Sequence, residues 1–250
     1  MIAISFKKSR AKEIVKALNI LYFSIFCIFS CFNQIGYADN EGGPWTLSKK
    51  TEIITVYRMA IPGLDIDAFK GVCEYPVRLE VLGSVLENIS GYVSWIDSLI
   101  ESRIIKKIDK NHLFLYQRYE AVWPFSDRDC VAEVNVDRNF QTGQFTIRIH
   151  SISGLLPPLT DGTVRLPAYE GTFLIEYIDR EHTRITYIGK IEFGGNIPNW
   201  LGDFLSSEIP FITLNGLIQE AQKKKYIKIA ETSELKRKLE ESVQKGILKP

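Results

Sequence analysis

The 250-residue chain predicts an α+β fold, a curved antiparallel β-sheet wrapped around one long C-terminal helix over an apolar space. Three observations predict it. From about residue 100 to residue 193, apolar residues alternate with polar ones in successive short runs, as in strands buried on one face. Short polar turns join most of these runs, which favours antiparallel neighbours. Beyond residue 196 the spacing becomes helical: Trp200, Leu201, Phe204 and Leu205, then Leu214, Leu217, Ile218 and Ala221, form one stripe.

Residues 1–38 read as an address, a signal peptide. Lys7, Lys8, Arg10, Lys12 and Lys16 precede a nearly uncharged apolar run at 17–32, and the small residues Gly36 and Ala38 follow. A basic start, an apolar run and a small-x-small site form the secretory pattern, with cleavage after Ala38. The run of about 16 residues is short of the roughly 20 needed for a full span. An uncleaved anchor through 17–32 and a lipid-modified Cys31 are the alternatives. Each places the body outside the cytoplasm, in the periplasm or the extracellular space.

In the body, residues 45–60 read as two short strands or a hairpin, and 68–75 as a strand. Pro76 opens a helix with Leu82, Val85, Leu86 and Ile89 at helical spacing, and a second short helix covers 91–97. Two strands then lead to 127–137, where Cys130, Ala132, Val134 and Val136 share a face. Phe145, Ile147 and Ile149 share a face of the next strand, and strands at 169–179 and 182–193 continue the pattern. Residues 153–168, with three prolines and two glycines, form a long excursion of the kind that often carries function. Asn196 or Asn199 could cap the final helix, and Pro210 should kink or divide it. Residues 226–250 read as a charged, solvated helical tail with pairs such as Glu234–Lys238.

The formal net charge is +1, but the basic residues of the leader conceal a mildly acidic body with 26 basic and 29 acidic residues. Such a balance argues against nucleic acid as a partner. Cys73 and Cys130 are the body's cysteines. An oxidising compartment permits a bridge between them, and two buried thiols are the other reading. No metal-ligand spacing, nucleophile elbow, P-loop or dinucleotide fingerprint occurs, so no cofactor, metal or catalytic residue is expected. His112, His150 and His182 read as isolated surface residues. Cys130, beside Arg128 and Asp129, is either a reactive thiol or an inert core thiol.

The segment WPFSDRDCV at 123–131 is similar to the Trp-Pro-x-Ser-x-Arg-Asp-aromatic-Val segment of the StAR-related lipid-transfer (START) family, with Cys130 in place of the aromatic residue. Trp45, VYRM at 56–59, VLENISGYVSW at 85–95 and GGNIPNWL at 194–201 match in order and spacing, so the resemblance runs from Trp45 to Lys223. It implies the helix-grip fold over residues 39–225, with a closed apolar cavity for a lipid, sterol or similar molecule and the last long helix as its lid. It also implies a non-catalytic carrier acting as a monomer at a membrane surface. The wider superfamily makes a cyclase or hydrolase the alternative, and the Lys/Glu-rich tail suits a ligand-sensing module.

Arg128 has the parity of the apolar face, where a charge is costly unless it is paired. The resemblance implies that it orients a ligand oxygen; an ion pair with Asp109 or Asp129 is the structural alternative. Phe145, Ile147, Ile149, Phe173, Ile175 and Tyr187 are the expected cavity wall or, equally, plain core. Trp200, Phe204, Leu205, Phe211 and Leu214 are the expected lid contacts. The Lys223–Lys225 run suits anionic headgroups or a solvated helix end.

Overall fold

The computed structural model describes residues 44–62, 66–195 and 198–250, so the leader expected at 1–38 lies outside the described residues. Ten strands form one sheet. They are β1 (Thr46–Lys50), β2 (Ile54–Met59), β3 (Ala68–Tyr75), β4 (Leu99–Lys107), β5 (His112–Tyr119), β6 (Arg128–Asn139), β7 (Gln144–Ser151), β8 (Val164–Arg165), β9 (Ala168–Tyr177) and β10 (Thr183–Glu192). The order is β1-β2-β3-β10-β9-β7-β6-β5-β4, and β8 runs parallel to the start of β6. Between β3 and β4 lie α1 (Leu79–Glu87) and a 3-10 turn (Ile89–Ser94). After β10 come α2 (Asn199–Ala221), α3 (Lys224–Glu231) and α4 (Glu234–Gln244). The sheet curls around α2, which is the α+β helix-grip arrangement that the sequence predicts.

The alternation seen in the sequence sets the inner face. In β10, Thr183, Ile185, Tyr187, Gly189 and Ile191 are buried, and their neighbours are not. Register carries this face across the sheet. Tyr187 lies opposite Gly71 and Phe173, Phe173 opposite Ile147, Ile175 opposite Phe145, and Ile149 opposite Val134. The helix comes down on the sheet at Gly71, where a Cβ would lie 2.8 Å from Leu214 Cδ1 and 3.0 Å from Pro210 Cβ.

Two expectations are corrected. Pro210 does not divide the helix: α2 runs unbroken from Asn199 to Ala221, and the proline ring packs on Gly71. Residues 226–250 are helical and charged, and Glu234–Lys238 forms at 2.9 Å, but they are not a solvated tail. Tyr226, Ala230 and Leu239 are 0–3 % exposed, the Leu235 side chain sits where a Cβ on Gly83 of α1 would be, and Leu248 reaches Gly143 in the β6–β7 turn. The Tyr226/Ala230 and Leu235/Leu239 pairs, four residues apart, give each short helix a buried stripe. Ser233 caps α4 by accepting the Lys236 N–H.

Candidate functional site

The inner face has two halves. Towards α1, it is packed solid: Leu82, Val85, Ile185, Leu214 and Leu217 are fully buried, with Phe145 at 4 % and Ile175 at 4 %. Phe145 and Leu214 belong to the buried apolar cluster, as do Phe173 and Tyr187. Phe173 stacks on Tyr187 with ring centres 4.2 Å apart. Ile147, Ile149, Leu205 and Phe211 keep some uncovered surface.

The other half adjoins the connection from β10 to α2. Here Tyr119 and Tyr169 keep part of their surface uncovered, yet burial pushes both hydroxyls well above the usual phenol range. The Tyr169 and Tyr187 hydroxyls share a hydrogen bond of 3.0 Å, and the Tyr119 hydroxyl donates to Gln117 Oε1 at 2.9 Å. Gln117 lies opposite Ser102 of β4 and Cys130 of β6. Burial pushes the Tyr187 hydroxyl up to about 12, and the Cys130 thiol likewise to about 12, so both are neutral at physiological pH. Cys73 and Cys130 are free, buried thiols. Sequence parity could have found Gln117 and Tyr119, since they continue the face of Leu113 and Leu115.

Arg128 is 9 % exposed and pairs with neither Asp109 nor Asp129 among the described residues. Its guanidinium donates to the carbonyls of Ser126, Phe193 and Gly194, the last two just before α2. It ties the start of β6 to the residues that follow β10, where Gly194 and Gly195 adopt φ of +66° and +71°, a conformation that suits glycine. Asp129 instead receives Arg165 of β8 in a bidentate pair at 2.7 and 2.9 Å, and Arg165 also donates to the Leu156 and Pro157 carbonyls.

Three segments thus converge at this end: the β5–β6 loop, the β7–β8 excursion and the start of α2. Arg118 joins the two loops through Asp127 at 3.0 Å and Asp161 at 2.9 Å. They carry a concentration of exposed apolar residues: Trp123 at 88 %, Trp200 at 57 % and Val122 at 51 %, with Phe204, Leu155 and Leu159 near 39 %. Trp200 and Phe204, expected to contact the cavity, belong to this outer rim. Among the described residues no helix is long and apolar enough to cross a membrane.

The histidines are not isolated. His112 and His150 both bond Glu133 on the outer face, at 2.5 and 3.0 Å, and His182 bonds Asp179 at 2.9 Å. Among the described residues no group of three or more His, Cys, Asp or Glu side chains is placed to hold a metal ion. Lys223 and Lys225 converge on the buried Glu220. A surface recess of about 400 Å³ at the α3–α4 corner is lined by charged residues, among them Glu231, Lys236, Arg237 and Glu240, and suits no apolar ligand.

An antiparallel sheet gripping one long helix is the helix-grip architecture. The START domain family matches residues 35–219, and the chain belongs to that family. The chain is 26 % identical over 181 residues to an uncharacterized protein of Pseudomonas aeruginosa, covering 72 % of this chain and 88 % of the relative. It is 27 % identical to the STAR-related lipid transfer protein of Xanthomonas axonopodis, with a TM-score of 0.65 over 72 % of this chain and 99 % of that one. The fold is shared with human StAR-related lipid transfer protein 5, at 14 % identity and a TM-score of 0.66 over 87 % of this chain and 97 % of that one.

Proposed function

We propose that this protein binds a lipid, sterol or similar apolar ligand, without catalysis, in the enclosed space between the sheet and α2. The observation that carries this reading is the sheet gripping α2 in a chain of the START domain family, with Ile147, Ile149, Phe173 and Tyr187 on the inner face of the sheet. The rim of Trp123, Leu155, Leu159, Trp200 and Phe204 supports transient docking at a membrane surface, since aromatic and aliphatic side chains partition into the interfacial layer. A carrier role fits an exported monomer that exchanges ligand there. Non-catalytic binding is favoured because the Cys130 thiol is not activated and the histidines are engaged with carboxylates on the outer face or in a turn.

Native mass spectrometry of the purified chain, with organic extraction, tests the reading. A stoichiometric apolar molecule is expected. A chain that stays empty when offered sterols, phospholipids and fatty acids overturns it. Transfer between donor and acceptor vesicles separates a carrier from a sensor. A reporter fused after Ala38 that stays in the cytoplasm would remove export from the reading.

A further inference from the structure

We infer that the outer face of α3 docks onto an anionic phospholipid surface. The inference goes beyond the binding of an apolar ligand. It concerns residues past 219, where the match to the START family ends, and it holds whatever the ligand is. Tyr226 and Ala230 are fully buried and fix the helix, and the Tyr226 hydroxyl accepts Asn88 Nδ2 at 3.0 Å. At about 100° per residue, the direction opposite those two is centred on Lys228, with Lys224 and Lys225 beside it. Ile227 lies on one flank at 40 % exposure and Ile229 on the other at 53 %. A lysine ridge between two exposed isoleucines is thus held outward by the packing of its own helix.

Charge complementarity names the occupant. Residues 220–230 hold Lys223, Lys224, Lys225 and Lys228 against one acid, Glu220, a net charge of +3. The rest of the body, within 39–250, holds 22 basic and 28 acidic residues, a net charge of −6. The patch therefore opposes the sign of the molecule that carries it, and such an asymmetry orients a protein at an anionic surface. Glu220 is buried and shared by Lys223 and Lys225, and the next acid along the chain, Glu231, is taken by Arg78 and Lys236. Lys224 and Lys228 have no carboxylate partner among the described residues. At a bilayer, the ammonium groups meet phosphates while the lysine stems and the isoleucines enter the acyl boundary, so both parts of the face are satisfied at once. The 23 residues of α2 span about 35 Å and separate this face from the rim at Trp200, so the two surfaces can be disabled separately.

The test is sedimentation of the full chain with vesicles of phosphatidylcholine alone and of phosphatidylcholine with about one third phosphatidylglycerol. Binding to the anionic vesicles should be about tenfold or more stronger, and the excess should fade between about 0.05 and about 0.5 M salt. Lys224→Glu with Lys228→Glu should remove that excess without moving the urea midpoint, because both side chains are exposed. Lys224→Arg with Lys228→Arg should retain it. Ile227→Ser with Ile229→Ser should weaken binding to the anionic vesicles severalfold and keep its salt dependence. Every variant carries the same leader, so the differences between them report on α3. Binding to phosphatidylcholine alone reads the rim. Equal binding to both vesicle types, or a glutamate variant that binds as the wild type does, overturns the inference while the rim and the apolar ligand stand. Lysine-dependent capture of polyglutamate without binding to the anionic vesicles also overturns it and reassigns the face to an acidic protein.

Discussion

On the C-terminal side of Pro210, α2 buries Leu214, Leu217, Ile218 and Ala221 at 0–4 % exposure. On the N-terminal side Trp200 and Phe204 stay exposed, and much of the hold is polar: Lys49–Glu208 at 2.7 Å, Arg58–Asp203 at 2.9 Å and the Ser48–Ser207 hydroxyls at 2.6 Å. Full burial of one large apolar side chain contributes about 1.5–3 kcal/mol, whereas a solvent-reached ion pair contributes about 0–1. One helix therefore combines an apolar anchor with a segment held largely by polar contacts.

The largest effect that would break this contrast lies in the anchor. Leu217→Ala should destabilise the protein by about 2–5 kcal/mol in urea unfolding, since the residue is fully buried. Gly71→Ala should cost about 1–3 kcal/mol, because its Cβ would meet Leu214 and Pro210. Combining it with Leu214→Ala should recover part of the loss in a double-mutant cycle. In the other half, Glu208→Gln should cost no more than about 1 kcal/mol yet quicken ligand exchange in stopped-flow fluorescence. Smallest in stability, within about 0.5 kcal/mol, should be Trp200→Ser with Phe204→Ser, read out as reduced sedimentation with vesicles.

Acid should loosen a different corner. Lys236 and Arg78 hold the Glu231 carboxyl at about 2, below its usual 4.5. A depressed folded pKa means that its contribution is complete above about pH 4.5 and fades as pH falls towards 2. Hydrogen exchange in α3 and α4 should rise across that window before the sheet is affected, and Glu231→Gln should flatten the change.

Most of the sheet was legible because one face is buried, so that period-two alternation in β6, β7 and β10 survives in the sequence. The packing of α3 and α4 was less visible because each buries only two or three side chains amid many charges. Arg128 shows the limit of parity. Its position at the inner face follows from alternation, but its partners are carbonyls of residues 65 and 66 positions away. Backbone groups carry no signature in a sequence. Ser102 escaped for a related reason: a β4 register shift between Leu99 and Glu101 breaks the alternation that would have placed it inside.

Leu248 meets Gly143 in the β6–β7 turn and the Tyr177 hydroxyl donates to the Lys249 carbonyl, so the residues that follow α4 fasten the two short helices back onto the sheet at the end of β9, like a buckle closing a strap.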